Sequence, residues 1–321
     1  METPSLFPSI QEDLPEVERL IRSLARVDSP WLSELLNYVL RPGGKRLRPA
    51  LTLLAGQFYT YDQERLLTMA AAVELLHTAT LVHDDTIDRA EVRRGMSTVN
   101  AVWDGSVAVL AGDYLFAQSA VLAASTESMR VVQLFARTLM TIVDGEMRQQ
   151  KSAFAWNQTR EEYYERICRK TASLFSMATE SGAVLSGAPE PAIEALITYG
   201  YNLGMAFQIV DDILDFMGEE QEMGKPVGSD LLHGTVTLPA LLYMELHPED
   251  DSIRRMLENP GGDGHAVKAI EAIRTSTAIA ESYEVAGSFC QKARDGLAVL
   301  PASGPLKTLL AIVDYTVNRS Y

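Results

Sequence analysis

The sequence predicts an all-α fold. Three observations carry that reading. Apolar residues recur three and four apart through nearly every long segment, and the alternation that marks β-strands is nowhere sustained. Strong breakers stand between the periodic segments: Pro42-Gly43-Gly44, Gly95, Gly187 with Pro189, and Gly218. The segments are also rich in Ala, Leu, Glu, Met and Arg, the residues that lose least on entering a helix.

In chain order the pattern places helices at 11–26 and 30–40, the second stopped by the Pro-Gly-Gly turn. Long helices follow at 64–90, 106–124, 128–150, 160–186 and 191–217. Beyond residue 238 the helices are shorter, at 239–247, 251–258, 264–274, 276–299 and 305–318. Asn259-Pro260-Gly261-Gly262-Asp263-Gly264 reads as a turn, too short between helical flanks to separate domains. No solenoid repeat or low-complexity tract occurs, so a single all-helical domain over 1–321 is expected.

Composition narrows the function. With 28 basic and 43 acidic residues among 321, the chain carries a formal charge of −15, which repels a phosphate backbone and argues against nucleic-acid binding. No run approaches the length of an apolar span, so no transmembrane segment is expected. Met1-Glu2-Thr3-Pro4 has no signal-peptide character, and Cys168 and Cys290 lack zinc or disulfide-framework spacing; a cytoplasmic location is expected.

Chemistry first shows in His83-Asp84-Asp85-Thr86-Ile87-Asp88. Asp84 and Asp88 stand four apart, so their carboxylates leave one helix face about one turn apart. Behind them on that face lie Thr80, His77, Val73 and Ala70. Alone, the motif also reads as a solvated acidic helix end. Like charges at a helix C-terminus oppose the macrodipole and one another, however, so a cation should compensate them.

The same spacing returns in Phe207-Gln208-Ile209-Val210-Asp211-Asp212-Ile213-Leu214-Asp215, where the acids interrupt an apolar helix and would be costly unpaired. Two matched triplets on long helices are expected to face each other across a cavity and to need divalent cations. Hard oxygen donors without Cys or paired His favour Mg²⁺ or Mn²⁺ over zinc. Magnesium takes few carboxylates and completes its shell with water and phosphate oxygens, so a diphosphate ligand is implied.

Cations are placed to meet such a ligand. Gly43-Gly44-Lys45-Arg46-Leu47-Arg48-Pro49 is the densest basic run, Arg93-Arg94-Gly95 follows Asp88, and Gly95 is a natural helix C-cap. Lys170-Thr171 lies among small residues (Ala172, Ser176, Ser181, Gly182), and Lys225 sits in the Gly224–Asp230 loop. Each of these also has a plainer reading, as a solvated face, dipole compensation, helix packing or a turn.

Taken in order, GGKRLRP, HDDxxD with RRG, GExxQ (Gly145, Glu146, Gln149), KTA, FQxxDDxxD and GKPxGSD resemble the trans-isoprenyl diphosphate synthases, from about residue 40 to 240. The resemblance implies a helical bundle around a deep cavity and a homodimer. It implies Mg²⁺, three ions with substrates bound and Mn²⁺ able to substitute, at Asp84, Asp88 and Asp211, with Asp85, Asp212 and Asp215 as nearby or water-mediated ligands. Arg93, Lys170, Gln208 and Lys225 are implied for the allylic diphosphate, with Thr171 fixing the leaving group and stabilising positive charge. Lys45, Arg48, His77 and Arg94 are implied for isopentenyl diphosphate, and Arg319 for closing over it.

The implied reaction ionises an allylic diphosphate, attacks the cation with the double bond of isopentenyl diphosphate and expels a proton. Where family members making short products carry a large aromatic before the first aspartate, this chain has Ala79 and Thr80. A long product, C30 or more, is therefore expected, with C15–C20 as the alternative. Gly234-Thr235-Val236-Thr237-Leu238-Pro239 departs from the family pattern by placing Thr235 where a lysine is usual. His233 is a candidate substitute. Two competing readings, a class I terpene cyclase and a silent partner subunit, are disfavoured because both aspartate triplets are intact and GGKRLRP is present.

Overall fold

The computed structural model describes residues 7–41, 43–93, 95–218, 226–260 and 264–319. Its first helices are α1 (Asp13–Ser23), α2 (Pro30–Val39), α3 (Leu47–Gly56), α4 (Gln63–Ile87), α5 (Val99–Val102), α6 (Gly105–Ser125), α7 (Met129–Ser152) and α8 (Arg160–Ile167). Then come α9 (Ser173–Leu185), α10 (Glu190–Met217), α11 (Ser229–Leu232), α12 (Leu238–Leu246), α13 (Ser252–Glu258), α14 (His265–Thr275), α15 (Ala278–Gly296) and α16 (Gly304–Asn318). The starts are capped as their sequences require. Ser29 and Asp62 accept from backbone N–H groups of α2 and α4, Asp104 does so for α6, and Thr159 with Glu162 forms a capping box on α8.

The all-α expectation is met, with three local departures. Helix α3 was not anticipated, and all of it except Arg48 is buried. Residues Val92–Arg93 and Met96–Ser97 form a small antiparallel hairpin, β1 and β2. Gly95, expected as a helix cap, instead lies between its strands at φ +75°. The helix expected over 160–186 is interrupted by a π-helical turn at Cys168–Ala172, a feature often found at functional sites.

The described residues of Met1–Thr138, Leu174–Gly200 and Gly296–Ile312 form one compact unit; those of Leu139–Ser173, Tyr201–Asp295 and Val313–Tyr321 form another. In the first, α4 packs against α6, α3 and α1. Leu51, Leu53 and Leu54 are fully buried there, and truncating such a leucine to alanine costs about 2–5 kcal/mol. Gly182 of α9 meets α3 so closely that a Cβ would stand 2.2 Å from the Thr52 carbonyl oxygen. In the second unit Tyr163 and Ile167 of α8 share a core with Met205, Ile209 and Ile213 of α10 and Leu241 of α12.

By length and composition alone, α4 and α6 are apolar enough to cross a bilayer, although charged and polar residues interrupt their apolar runs. In the fold, 61% of the apolar stretch of α4 is buried, as in a core helix, against 39% for α6.

Candidate active site

In the first unit the candidate residues gather at two places on α4. At its C-terminal end Asp85 is buried, Asp84 half-buried and Asp88 exposed as the C-cap. The cation that this crowded end requires is Arg93, delivered by the hairpin: its Nε donates to Asp85 Oδ1 at 2.7 Å. Burial pushes the Asp85 carboxyl above its ordinary range; Arg93 opposes the shift, and Asp84 and Asp88 add to it. His83 anchors this end to α6, its Nε2 lying 3.0 Å from the Val109 carbonyl. Only glycine fits at 112, where a Cβ would come within 2.1 Å of the His83 ring.

Two turns back, His77 Nε2 lies 3.2 Å from Arg48 Nη1, and the Arg48 guanidinium stacks 4.7 Å from the Phe175 ring centroid. The structure thus brings two of the residues implied for isopentenyl diphosphate together, with exposed Lys45 three residues before Arg48. Arg46 is turned to Glu18 and Glu74 instead, so its charge serves the fold. Ala79 is fully buried, and half-buried Thr80 donates to the His77 carbonyl at 2.7 Å.

In the second unit, α10 presents Gln208, Asp211, Asp212 and Asp215. Asp212 is buried with both oxygens engaged: Tyr163 Oη donates to Oδ2 at 2.7 Å and Gln208 Nε2 to Oδ1 at 2.8 Å. Burial, and then the charge of Asp230, push its pKa up to about 7, while the two hydrogen bonds pull it back. Asp215 is also buried, and its Oδ2 accepts from the Asp230 N–H at 3.1 Å. Asp211 is the outermost of the three. Its Oδ1 is met at 2.5 Å by Arg319, the residue implied for the other diphosphate.

The π turn faces the same helix. Thr171 Oγ1 donates to Gln208 Oε1 at 2.6 Å, and Lys170 Nζ lies 2.8 Å from Glu146 Oε1. Gly145 explains the second contact. A Cβ there would stand 2.9 Å from Arg169 Cβ, so only glycine lets α7 approach the turn this closely. Thr235, in place of the usual lysine, is half-buried, and His233 directs Nδ1 to the Ser229 carbonyl at 2.7 Å.

Arg94 and Lys225 lie outside the described residues. Among the described residues no three carboxylates, histidines or cysteines are gathered ready for a metal. The donor chemistry nonetheless fits magnesium. Asp84, Asp88 and Asp211 are hard oxygen donors that reach solvent, and magnesium needs only one or two carboxylates beside phosphate and water. Sequence reasoning passed over the partners of the site. Tyr163 stands in no motif, and Glu146 had a motif but no role. The signal for Tyr163 was its hydroxyl, since a buried phenol needs an acceptor.

Residues 29–273 match the family model described as polyprenyl synthetase. The chain is 39% identical to a prenyl transferase of Synechocystis sp., over 99% of this chain and 98% of the relative. It is also 39% identical to heptaprenyl diphosphate synthase component 2 of Geobacillus stearothermophilus, over 100% of both. A crystal structure of polyprenyl synthase from Caulobacter crescentus CB15, complexed with calcium and isoprenyl diphosphate, has a TM-score of 0.92 at 35% identity, covering 98% of this chain and 97% of that one.

Proposed function

The chain belongs to the polyprenyl synthetase family, and from that premise we propose that it is a Mg²⁺-dependent trans-prenyltransferase extending an allylic prenyl diphosphate with isopentenyl diphosphate. One observation carries the reading. Both aspartate triplets are complete, and each has a carboxylate that reaches solvent (Asp84 and Asp88; Asp211) while its middle one (Asp85; Asp212) is turned onto protein partners.

Bound Mg²⁺ would neutralise the allylic diphosphate and assist its departure. Lys170 and Arg93 would each add positive charge to stabilise the leaving diphosphate, Gln208 would contact it, and Thr171 would fix it and stabilise developing positive charge. Lys45, Arg48 and His77 hold isopentenyl diphosphate; the Arg48 fork suits bidentate contact with a phosphate. No side-chain nucleophile is required.

We assign a long product, C30 or longer, because small Ala79 and Thr80 stand where a bulky residue would stop the chain and because the Geobacillus relative is named for a heptaprenyl product. We also propose a homodimer. Leu110, Val109 and Val121 on the outward face of α6 are 67%, 44% and 58% exposed, a run of apolar surface that a second copy would cover. The name "component 2" favours, as a second reading, an enzyme completed by a different chain. Both cysteines are free thiols, in keeping with the cytoplasm.

The test is incubation of the purified protein alone with Mg²⁺, an allylic diphosphate and labelled isopentenyl diphosphate, followed by chromatography of the dephosphorylated alcohols. A ladder of lengthening linear alcohols supports the reading. Cyclic hydrocarbons would overturn it, and activity appearing only on addition of a second chain would establish the two-component form.

A further inference from the structure

A chain of three hydrogen bonds runs from the buried core of the second unit to Thr171. Tyr163 on α8 and Thr171 in the π turn meet Gln208 and Asp212, which stand one turn apart on α10. The order of donors follows the geometry: the Gln208 amide presents Nε2 to Asp212 Oδ1, which leaves Oε1 facing Thr171. The Thr171 hydroxyl then gives its proton to Gln208, and its oxygen lone pairs are left to point elsewhere. Were the amide reversed, Nε2 would donate to Thr171 and the hydroxyl proton would turn outward.

What keeps the amide from reversing is the fixed carboxylate, and what fixes the carboxylate is Tyr163. Its ring is fully buried and lies beneath the Arg166 guanidinium, 5.4 Å from ring centroid to carbon. Arg166 is itself held by Gln158 and the Val236 carbonyl, so the phenol has little freedom. With Oδ2 tied to Tyr163, the Asp212 carboxylate can offer only Oδ1 to Gln208.

We propose that Tyr163 is a positioning residue for the prenyl-transfer step: through Asp212 and Gln208 it sets the direction of the Thr171 hydroxyl, so that lone pairs rather than a proton face the carbon that becomes cationic. Resting on the function proposed above, the inference adds to it a residue that touches no substrate. A proton directed at that carbon would raise the energy of the developing cation, whereas an oxygen lone pair lowers it.

The experiment is a mutant cycle on the purified enzyme with Mg²⁺. Tyr163→Phe removes only the hydroxyl and is compared in three backgrounds: native Thr171, Thr171→Ser and Thr171→Ala. The expected result is a fall in single-turnover rate of about 10-fold or more with native Thr171, and a comparable fall with serine, which keeps the hydroxyl. With alanine the same change should alter the rate less than about twofold, and KM for both substrates should move little in any background. An undiminished effect in the alanine background, or no effect with native Thr171, would overturn the proposal and leave Tyr163 a core residue. Should Tyr163→Phe not fold, Asp212→Asn breaks the same chain one link later and faces the same two outcomes. A wild-type enzyme that makes no longer prenyl chain would instead sink the functional reading itself.

Discussion

The Arg319 guanidinium sits on the Asp211 carboxylate, with Nη2 2.5 Å from Oδ1. The same nitrogen donates to the Phe207 carbonyl at 2.7 Å, and the group stacks 3.8 Å from the Phe207 ring centroid. A cation from the C-terminal end of the chain thus neutralises a carboxylate proposed for magnesium. A metal arriving at Asp211 must displace or share that partner. Arg319→Gln is therefore expected to tighten binding of Mn²⁺ by about three- to tenfold when no substrate is present, read by calorimetric titration. An unchanged Kd would show that the ion pair and the metal do not compete.

Asp84→Ala and Asp211→Ala are each expected to lower kcat by about 100-fold or more at saturating Mg²⁺. Their stabilities should diverge. Asp84→Ala relieves repulsion with Asp88 one turn on, so the melting temperature holds or rises. Asp211→Ala leaves Arg319, only 10% exposed, without its counterion, so the melting temperature falls. Near-wild-type kcat in either variant would remove that carboxylate from the metal set.

Asp212 gives the metal-free protein a distinctive pH response. Folded, it keeps its proton up to about pH 7; unfolded, it loses it near its ordinary 3.8. Between those values the folded state binds more protons, so this residue lowers stability as pH rises and adds no further change above the window. Asp212→Asn removes the slope. Wild-type minus variant unfolding free energy, from urea titrations in chelator, should fall through the window by up to about 1.4 kcal/mol per pH unit. A flat difference would mean that the carboxyl titrates as an ordinary aspartate.

Ala79→Phe and Thr80→Phe are expected to shorten the longest alcohol recovered while sparing the first condensation. Ala79 is fully buried, so its variant should also lose about 1–3 kcal/mol of stability if the ring must displace neighbouring side chains. Thr80 is half-buried and should tolerate the ring better. Unchanged product length in both would place the end of the chain elsewhere.

Leu110→Glu on α6 is expected to convert the proposed dimer to monomers, measured by sedimentation velocity, because a carboxylate buried against an apolar partner surface goes unpaired. A dimer that persists at the same concentration would move the interface off this face.

The helices and both aspartate triplets were legible because period and spacing survive in any single sequence. The need for a cation at the end of α4 was legible too, from the like charges there, and Arg93 on Asp85 meets it. Other features left no such mark. Helix α3 is short and buried except at Arg48, and a hairpin of two residues per strand is too short to alternate. The partners of the site were hidden for a different reason. Tyr163 has the apolar body of a core residue and differs only by one hydroxyl, whose acceptor lies 49 residues away. The pair of Arg319 with Asp211 spans 108 residues, a distance over which no local pattern runs.

The π turn at Cys168–Ala172 carries a vulnerability of a different kind from any side chain. In an unbroken α-helix, positions 163 and 171 would be about 80° apart around the axis. The wider turn between them winds the chain back, so that both reach the same stretch of α10. Insertion of one residue within the turn would add about 100° of winding while changing composition and charge very little, and it would swing Thr171 away from Gln208. A library of single substitutions never makes that change. The most fragile property of this segment is its register, and scanning every side chain in turn would leave it unprobed.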